Sequence, residues 1–215
     1  GSEMCIRDRG KTAVICAVDG KAAGIIAISD QIKETSRSAV SKLENKGINT
    51  VMLTGDNKQT ALTIAGYAGI KNVIYEVLPE DKAAEIKKIQ ESGKITAMVG
   101  DGINDAPALA QSDVGIAIGS GTDIAIESAD IVLMNGSLEG VNTAIKLSHA
   151  TIRNIKQNLF WAFGYNILGI PIAMGLLHIF GGPLLNPMIA AAAMSLSSVS
   201  VLSNALRLRN FKADA

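Results

Sequence analysis

Between Lys156 and Arg207 this 215-residue chain has no aspartate, glutamate, lysine or arginine. A water-soluble domain does not go that far without charge, because its helices and loops carry ionic groups on their outer faces. Aromatic residues are also scarce, at 4%, although hydrophobic residues reach 48% and mean hydropathy is +0.28. The apolar excess is therefore aliphatic and concentrated in one region. Net charge is absent, since 20 Lys+Arg balance 20 Asp+Glu, and no bulk charge points to nucleic acid or to an acidic partner. Two cysteines, Cys5 and Cys16, are too few for a disulfide framework or a cysteine metal site and read as reduced bystanders. Residues 1–10 show no helical or strand period and no signal-peptide pattern, and read as a ragged or non-native start.

From Thr12 the pattern is regular. Two β-rich runs, residues 12–18 and 22–29, flank Asp19-Gly20, a hairpin signal because both positions tolerate positive φ. Helices and strands then alternate. Helices are expected over 33–46, 58–68, 80–91, around 105–111 and over 123–128. Strands are expected over 48–53, 73–77, 95–99, 114–118 and 131–134. Continuous apolar strands separated by helices imply a parallel sheet covered on both faces, a Rossmann-like α/β architecture. The uncharged stretch is broken at Gly181-Gly182-Pro183, and each half exceeds the roughly 20 residues that cross a bilayer. Two transmembrane helices, 159–180 and 184–206, are expected. Arg153 and Lys156 flank one end and Arg207, Arg209 and Lys212 the other, which places both ends and the soluble domain in the cytoplasm. A single helix is expected to run from the soluble domain into the first span.

Three segments that carry phosphate chemistry lie at the carboxyl ends of expected strands, where α/β sheets bind ligands. Met52-Leu53-Thr54-Gly55-Asp56-Asn57 brings a hydroxyl and backbone N–H groups to a helix start, a geometry suited to a phosphate oxygen. Thr-Gly-Asp is equally the composition of an ordinary capped turn. Lys82 opens a helix after Pro79 and brings positive charge; alone it also reads as a solvated helix charge. Gly100-Asp101-Gly102-Ile103-Asn104-Asp105-Ala106-Pro107 sets two carboxylates four residues apart around a glycine turn, with a third oxygen from Asn104. Hard oxygens of this kind bind Mg²⁺.

In residues 52–57 and 100–109 the sequence resembles the haloacid-dehalogenase superfamily and, within it, the P-type ATPases. The resemblance implies a haloacid-dehalogenase-like phosphorylation domain over 30–136, entered at Asp30 and Lys33, after the tail of a nucleotide-binding domain over 11–29. It further implies a stalk helix over 137–158 and a cytoplasmic tail over 207–215. By the same resemblance Thr54, Gly55 and Asp56 contact the phosphate of ATP or of the acyl-phosphate. Thr54, Lys82 and Asn104 then support phosphoryl transfer, and Asp101 and Asp105 hold Mg²⁺, Asp101 as the direct ligand.

The membrane segment narrows the class. Tyr165-Asn166 and Met194-x-x-Ser197-Ser198 resemble the ion-binding helices of copper(I)-transporting heavy-metal P-type ATPases, with Tyr165, Asn166, Met194 and Ser198 as the implied ligands for copper(I) or silver(I). A thioether suits Cu(I), and Met194 and Ser198 share a helix face. Serine that only packs helices and methionine that only fills space remain the alternative reading. A zinc or cadmium pump would be expected to place a carboxylate in the span, and none occurs.

The family's phosphorylated Asp-Lys-Thr-Gly-Thr string is absent. The nearest string, Asp8 to Thr12, follows no buried strand. The chain is thus expected to be the carboxy-terminal part of a pump, inactive without the amino-terminal part that carries the nucleophile. A phosphatase of the same superfamily, or a non-catalytic membrane partner of a pump, are the rival expectations.

Overall fold

The computed structural model describes residues 12–28, 34–101, 103–119, 127–182 and 186–212. The calls on Asp30 and Lys33, on residues 1–10 and on the helix at 123–128 lie wholly or mostly outside these.

Strands β1 (Thr12–Val18) and β2 (Lys21–Ile28) form an antiparallel hairpin. Asp19 and Gly20 at its tip both have positive φ, 50° and 76°, and this backbone twist matches that of the flanking strands. The alternation that follows is α1 (Glu34–Glu44), β3 (Val51–Leu53), α2 (Lys58–Ala68), β4 (Asn72–Ile74), a 3₁₀ turn at Pro79–Asp81 and α3 (Lys82–Glu91). After it come β5 (Ala97–Gly100), a 3₁₀ turn at Ile103–Asp105, α4 (Ala106–Gln111), β6 (Val114–Ile118) and β7 (Ile131–Leu133). All pairings after the hairpin are parallel, β3 with β4 and β5–β6–β7 in that order.

The strands are shorter than their apolar runs. β3 begins at Val51 rather than 48, because residues 45–47 are still turning off α1 and Ile48 N–H donates to the Leu43 carbonyl. β4 stops at Ile74 because Glu76, at φ 57°, turns the chain back so that its N–H donates to Asp56 O. The single expected sheet is present as two parallel ladders: among the described residues β3 pairs with β4 alone and β5 with β6 alone. A shared core joins them nonetheless. Ile86 of α3, Met98 of β5 and Ala108 and Leu109 of α4 form one buried cluster, and Leu53 of β3 packs against it.

The contacts divide the chain after Asn142. Helix α5 (Glu139–Ala173) is continuous through that point for 35 residues, as the absence of a breaker predicts. It opens in the first unit, where Asn142 is 3% exposed, donates to the Ala39 carbonyl of α1 (3.0 Å) and accepts from Lys46 Nζ (2.9 Å). In the second unit α5 ends two residues after Pro171. A turn at Met174-Gly175 with positive φ at Gly175 leads into the short α6 (Leu176–Ile179), so the expected helix over 159–180 is interrupted. Helix α7 (Pro187–Leu206) is capped by Asn186, whose Oδ1 accepts from Met188 N–H (2.9 Å), and a 3₁₀ turn (Arg207–Asn210) follows it. Among the described residues no helix is long and apolar enough to cross a membrane.

Candidate functional site

Each phosphate-handling candidate sits one residue to about one turn away from a member of the same buried cluster or from Leu53, which is partly buried and packs against it. Leu53 precedes Thr54, Ile86 lies one turn after Lys82, Met98 three residues before Asp101, and Ala108 and Leu109 one turn after Asp105. Four segments distant in sequence are thereby hung from one apolar knot, and burial of that knot fixes where their polar ends emerge.

The Thr54 turn is self-contained. Thr54 Oγ1 donates to Asp56 Oδ2 (2.8 Å) and accepts from Asp56 N–H (3.2 Å), while Asn57 Oδ1 caps α2 by accepting from Thr60 N–H (3.0 Å). Backbone bonds Thr54 N–H to Ile74 O (3.0 Å) and Val77 N–H to Thr54 O (3.2 Å) pin the turn to the β4 side. Space is tight at Gly55, where a Cβ would lie 3.2 Å from the Val77 carbonyl. The Thr54 proton is therefore aimed at a carboxylate oxygen, an acceptor of the same kind as a phosphate oxygen.

Across the knot, Lys82 Nζ donates to Asp105 Oδ1 at 2.7 Å, with the two side chains only 17% and 13% exposed. Gly100 makes room for this pair: a Cβ there would fall 2.7 Å from Asp105 Cβ and 2.8 Å from Oδ2. Asp101 follows β5 directly and is exposed, as is Asn104 in the 3₁₀ turn. Among the described residues no group of three or more His, Cys, Asp or Glu gathers for a metal. Two hard carboxylates beside an amide oxygen still fit Mg²⁺, which takes one or two carboxylates and completes its shell with waters and phosphate oxygens.

In the second unit, Tyr165 and Asn166 lie on α5, and Met194 and Ser198 one turn apart on α7. Asn166 Nδ2 donates to the Ala162 carbonyl (2.9 Å) and Ser198 Oγ to the Met194 carbonyl (3.3 Å), each on its own helix, and Met194 is 74% exposed. Sequence reasoning passed over three asparagines nearby, Asn154 and Asn158 of α5 and Asn204 of α7, which bond to one another. Their signal was legible: Asn158 and Asn204 are amides in the uncharged stretch, and Asn154 stands at i, i+4 spacing from Asn158. A groove of about 500 Å³ lined by His149, Arg153, Lys156, Phe160 and Trp161 runs along α5 and touches none of the phosphate-handling candidates.

Residues 5–113 match the family model for haloacid dehalogenase-like hydrolases. Over 204 residues the chain is 58% identical to a copper-exporting P-type ATPase of Bacillus subtilis (strain 168), covering 94% of this chain and 24% of that protein. Over 201 residues it is 57% identical to copper-transporting ATPase 1 of Rhizobium meliloti (strain 1021), again covering 94% of this chain and 24% of that protein. It thus spans about a quarter of the length of these relatives. Among solved structures, a zinc-transporting PIB-type ATPase in the E2.Pi state superposes with a TM-score of 0.80 at 37% identity, over 97% of this chain and 33% of that one. The motif residues, the parallel α/β fold and these matches agree: the chain belongs to the haloacid dehalogenase-like hydrolases and, among them, to the heavy-metal P-type ATPases.

Proposed function

We propose that this chain forms the Mg²⁺- and phosphate-handling side of an ATP-driven copper(I) or silver(I) pump, working with an aspartate nucleophile from a part of the protein outside these 215 residues. The observation that carries the phosphoryl-transfer reading is the Lys82–Asp105 pair at 2.7 Å, hung with Thr54 and Asp101 from one buried cluster. Thr54 donates its hydroxyl to a phosphoryl oxygen, Lys82 supplies positive charge to the same group, and Asn104 supports it. Asp101 and Asp105 hold Mg²⁺, Asp101 as the direct ligand; the ion, when bound, neutralises charge on the transferring phosphoryl. Asp105 is paired with Lys82 at 2.7 Å, so the carboxylate that would help hold Mg²⁺ also orients the ammonium that would meet the phosphate. Catalysis of this kind is positional and electrostatic.

The second unit we assign to the membrane, as a hairpin over 159–180 and 184–206 with both ends in the cytoplasm, the stalk over 137–158 leading in and the tail over 207–215 leading out. Phe160, Ile167, Leu168, Ile179, Phe180, Met188 and Met194 are all more than two-thirds exposed, which an aqueous surface does not sustain and a lipid or helix neighbour does. The twenty residues of α7 carry no charge, like the whole stretch between Lys156 and Arg207. Residues 11–29 we assign to the tail of a nucleotide-binding domain, in keeping with a hairpin whose Val14, Ile15 and Ile26 are exposed. Copper rather than zinc is favoured because relatives named for copper transport share 58% and 57% identity, against 37% for the zinc-transporting structure, and because the uncharged stretch offers a thioether and no carboxylate.

The test joins the amino-terminal part of a related copper pump to this chain and measures metal-stimulated phosphoenzyme with Cu(I), Ag(I) and Zn(II). Stimulation by Cu(I) and Ag(I) alone, abolished by Asp101→Asn, is expected. Stimulation by Zn(II) alone removes the copper site, and no phosphoenzyme with any ion removes the phosphoryl-transfer reading.

A further inference from the structure

The asparagines of the second unit do more than satisfy one another. Asn154 Nδ2 donates to the Asn204 carbonyl at 2.6 Å, Asn158 Nδ2 to Asn154 Oδ1 at 3.1 Å, and Asn204 Nδ2 to Asn158 Oδ1 at 2.9 Å. Arg207 extends the chain by donating to Asn204 Oδ1 at 3.3 Å. Two α5 amides thus grip one α7 residue through side chain and backbone together. All three asparagines are half-buried, and they lie on complementary stripes. On α5 the half-buried positions Asn154, Asn158, Ala162, Tyr165 and Gly169 recur every three or four residues, and on α7 Ser197, Val201 and Asn204 do the same.

A grip at one level fixes the helices' register, and register has a consequence further along. Tyr165 and Asn166 lie about 10 and about 12 Å along α5 from Asn158, at about 1.5 Å per residue. Ser198 and Met194 lie about 9 and about 15 Å along α7 from Asn204 in the returning direction. The α5 pair therefore falls at a depth between the two α7 residues. A slip of one helical turn, about 5.4 Å, destroys that match. Leucine, alanine and serine along the rest of α7 are interchangeable packing surfaces that resist such a slip weakly, whereas a closed ring of amides has one satisfied register.

We propose that Asn154, Asn158 and Asn204 are positioning residues, a register lock that levels Tyr165 and Asn166 with Met194 and Ser198 to complete a site for a soft monovalent cation. The ligand part of this rests on the copper or silver reading above; the lock itself does not.

The experiment uses the whole chain in detergent micelles with Cys5 and Cys16 changed to Ser. Disulfide formation is compared between an in-register pair, Ala162→Cys with Val201→Cys, and a pair displaced by about one turn, Ala162→Cys with Ser197→Cys. Ag(I) binding is measured in the same background without the paired cysteines. We expect the in-register pair to cross-link at least tenfold faster. Asn204→Leu and, independently, Asn158→Leu should erase that preference and weaken Ag(I) binding about tenfold, with helical circular dichroism unchanged. Ser200→Ala, whose hydroxyl is spent on carbonyls of its own helix, should change neither readout. An unchanged cross-linking preference in both leucine variants overturns the lock. A lost preference with unchanged Ag(I) affinity overturns its role in positioning the ion site. No Ag(I) binding by the parent, with the preference intact, instead removes the copper or silver reading and leaves the lock standing.

Discussion

Lys82 Nζ and Asp105 Oδ1, 23 positions apart in sequence, meet at 2.7 Å with little solvent around them. A pair so placed is a poor source of net stability, because both charges lose hydration, but removing one partner strands the other. Lys82→Met should therefore weaken binding of a phosphate analogue by at least about tenfold, through loss of a charge-assisted hydrogen bond. The comparison is vanadate affinity of the joined pump with and without the substitution. An unchanged affinity would separate Lys82 from the phosphate.

Gly100→Ala tests the same pair from the backbone side. The new methyl group meets Asp105 Cβ and Oδ2 at under 3 Å, so the aspartate has to move away from Lys82. We expect Mg²⁺-dependent phosphoenzyme formation to fall at least about tenfold, since geometry tolerances at such sites are well under 1 Å. Titrating Mg²⁺ distinguishes the causes: recovery at high Mg²⁺ points to displaced ligands, and absence of recovery to a collapsed turn.

Gly115→Ala acts on the fold alone. Its methyl group faces the Leu109 carbonyl at 2.8 Å, a backbone atom within the buried α4–β6 contact that cannot rotate aside. Overpacking of this kind costs about 1–3 kcal/mol, and a urea midpoint shifted downward is the expected outcome.

Asn142→Leu removes a buried amide that ties the start of α5 to α1. The Ala39 carbonyl loses its donor and Lys46 its acceptor, and an unsatisfied buried carbonyl costs about 1–3 kcal/mol. Hydrogen exchange should quicken first in α1 and in the first turns of α5. Equal protection in the variant would mean that water replaces the amide.

Asp113 contributes a pH dependence whose sign is fixed. Its carboxylate accepts from Thr96 N–H (2.7 Å), which lowers its pKa from the ordinary 3.8, with Gln90 assisting. A depressed carboxylate stabilises the fold above the unfolded-state value of about 4 and loses that contribution as pH falls through the folded-state value. Asp113→Asn should therefore be less stable than the parent near neutrality, with the difference shrinking as pH falls below about 4, so that the variant's acid limb is less steep.

Much of this molecule was legible because its signals are local. Asp19-Gly20 encodes a turn, Gly100 to Pro107 a loop at a strand end, and the missing charges between Lys156 and Arg207 a change of environment, each within a few residues of itself. Strand lengths were less legible: 48–50 and 75–77 have the composition of strands, but turns off α1 and at Glu76 claim their backbone hydrogen bonds.

Sequence by itself determined the element order, the parallel pairing implied by it, and which side chains are the candidates for phosphate chemistry, since periodicity and motif spacing are properties of neighbouring residues. Tertiary structure alone decided who meets whom. Lys82 takes Asp105, Asn142 takes Ala39 across 103 positions, and Asn154 takes Asn204 across 50. A charged or amide group accepts any suitable partner, and only the burial of Ile86, Met98 and Leu109 in one cluster, or the packing of α5 against α7 through those asparagines, brings a particular one within hydrogen-bond reach.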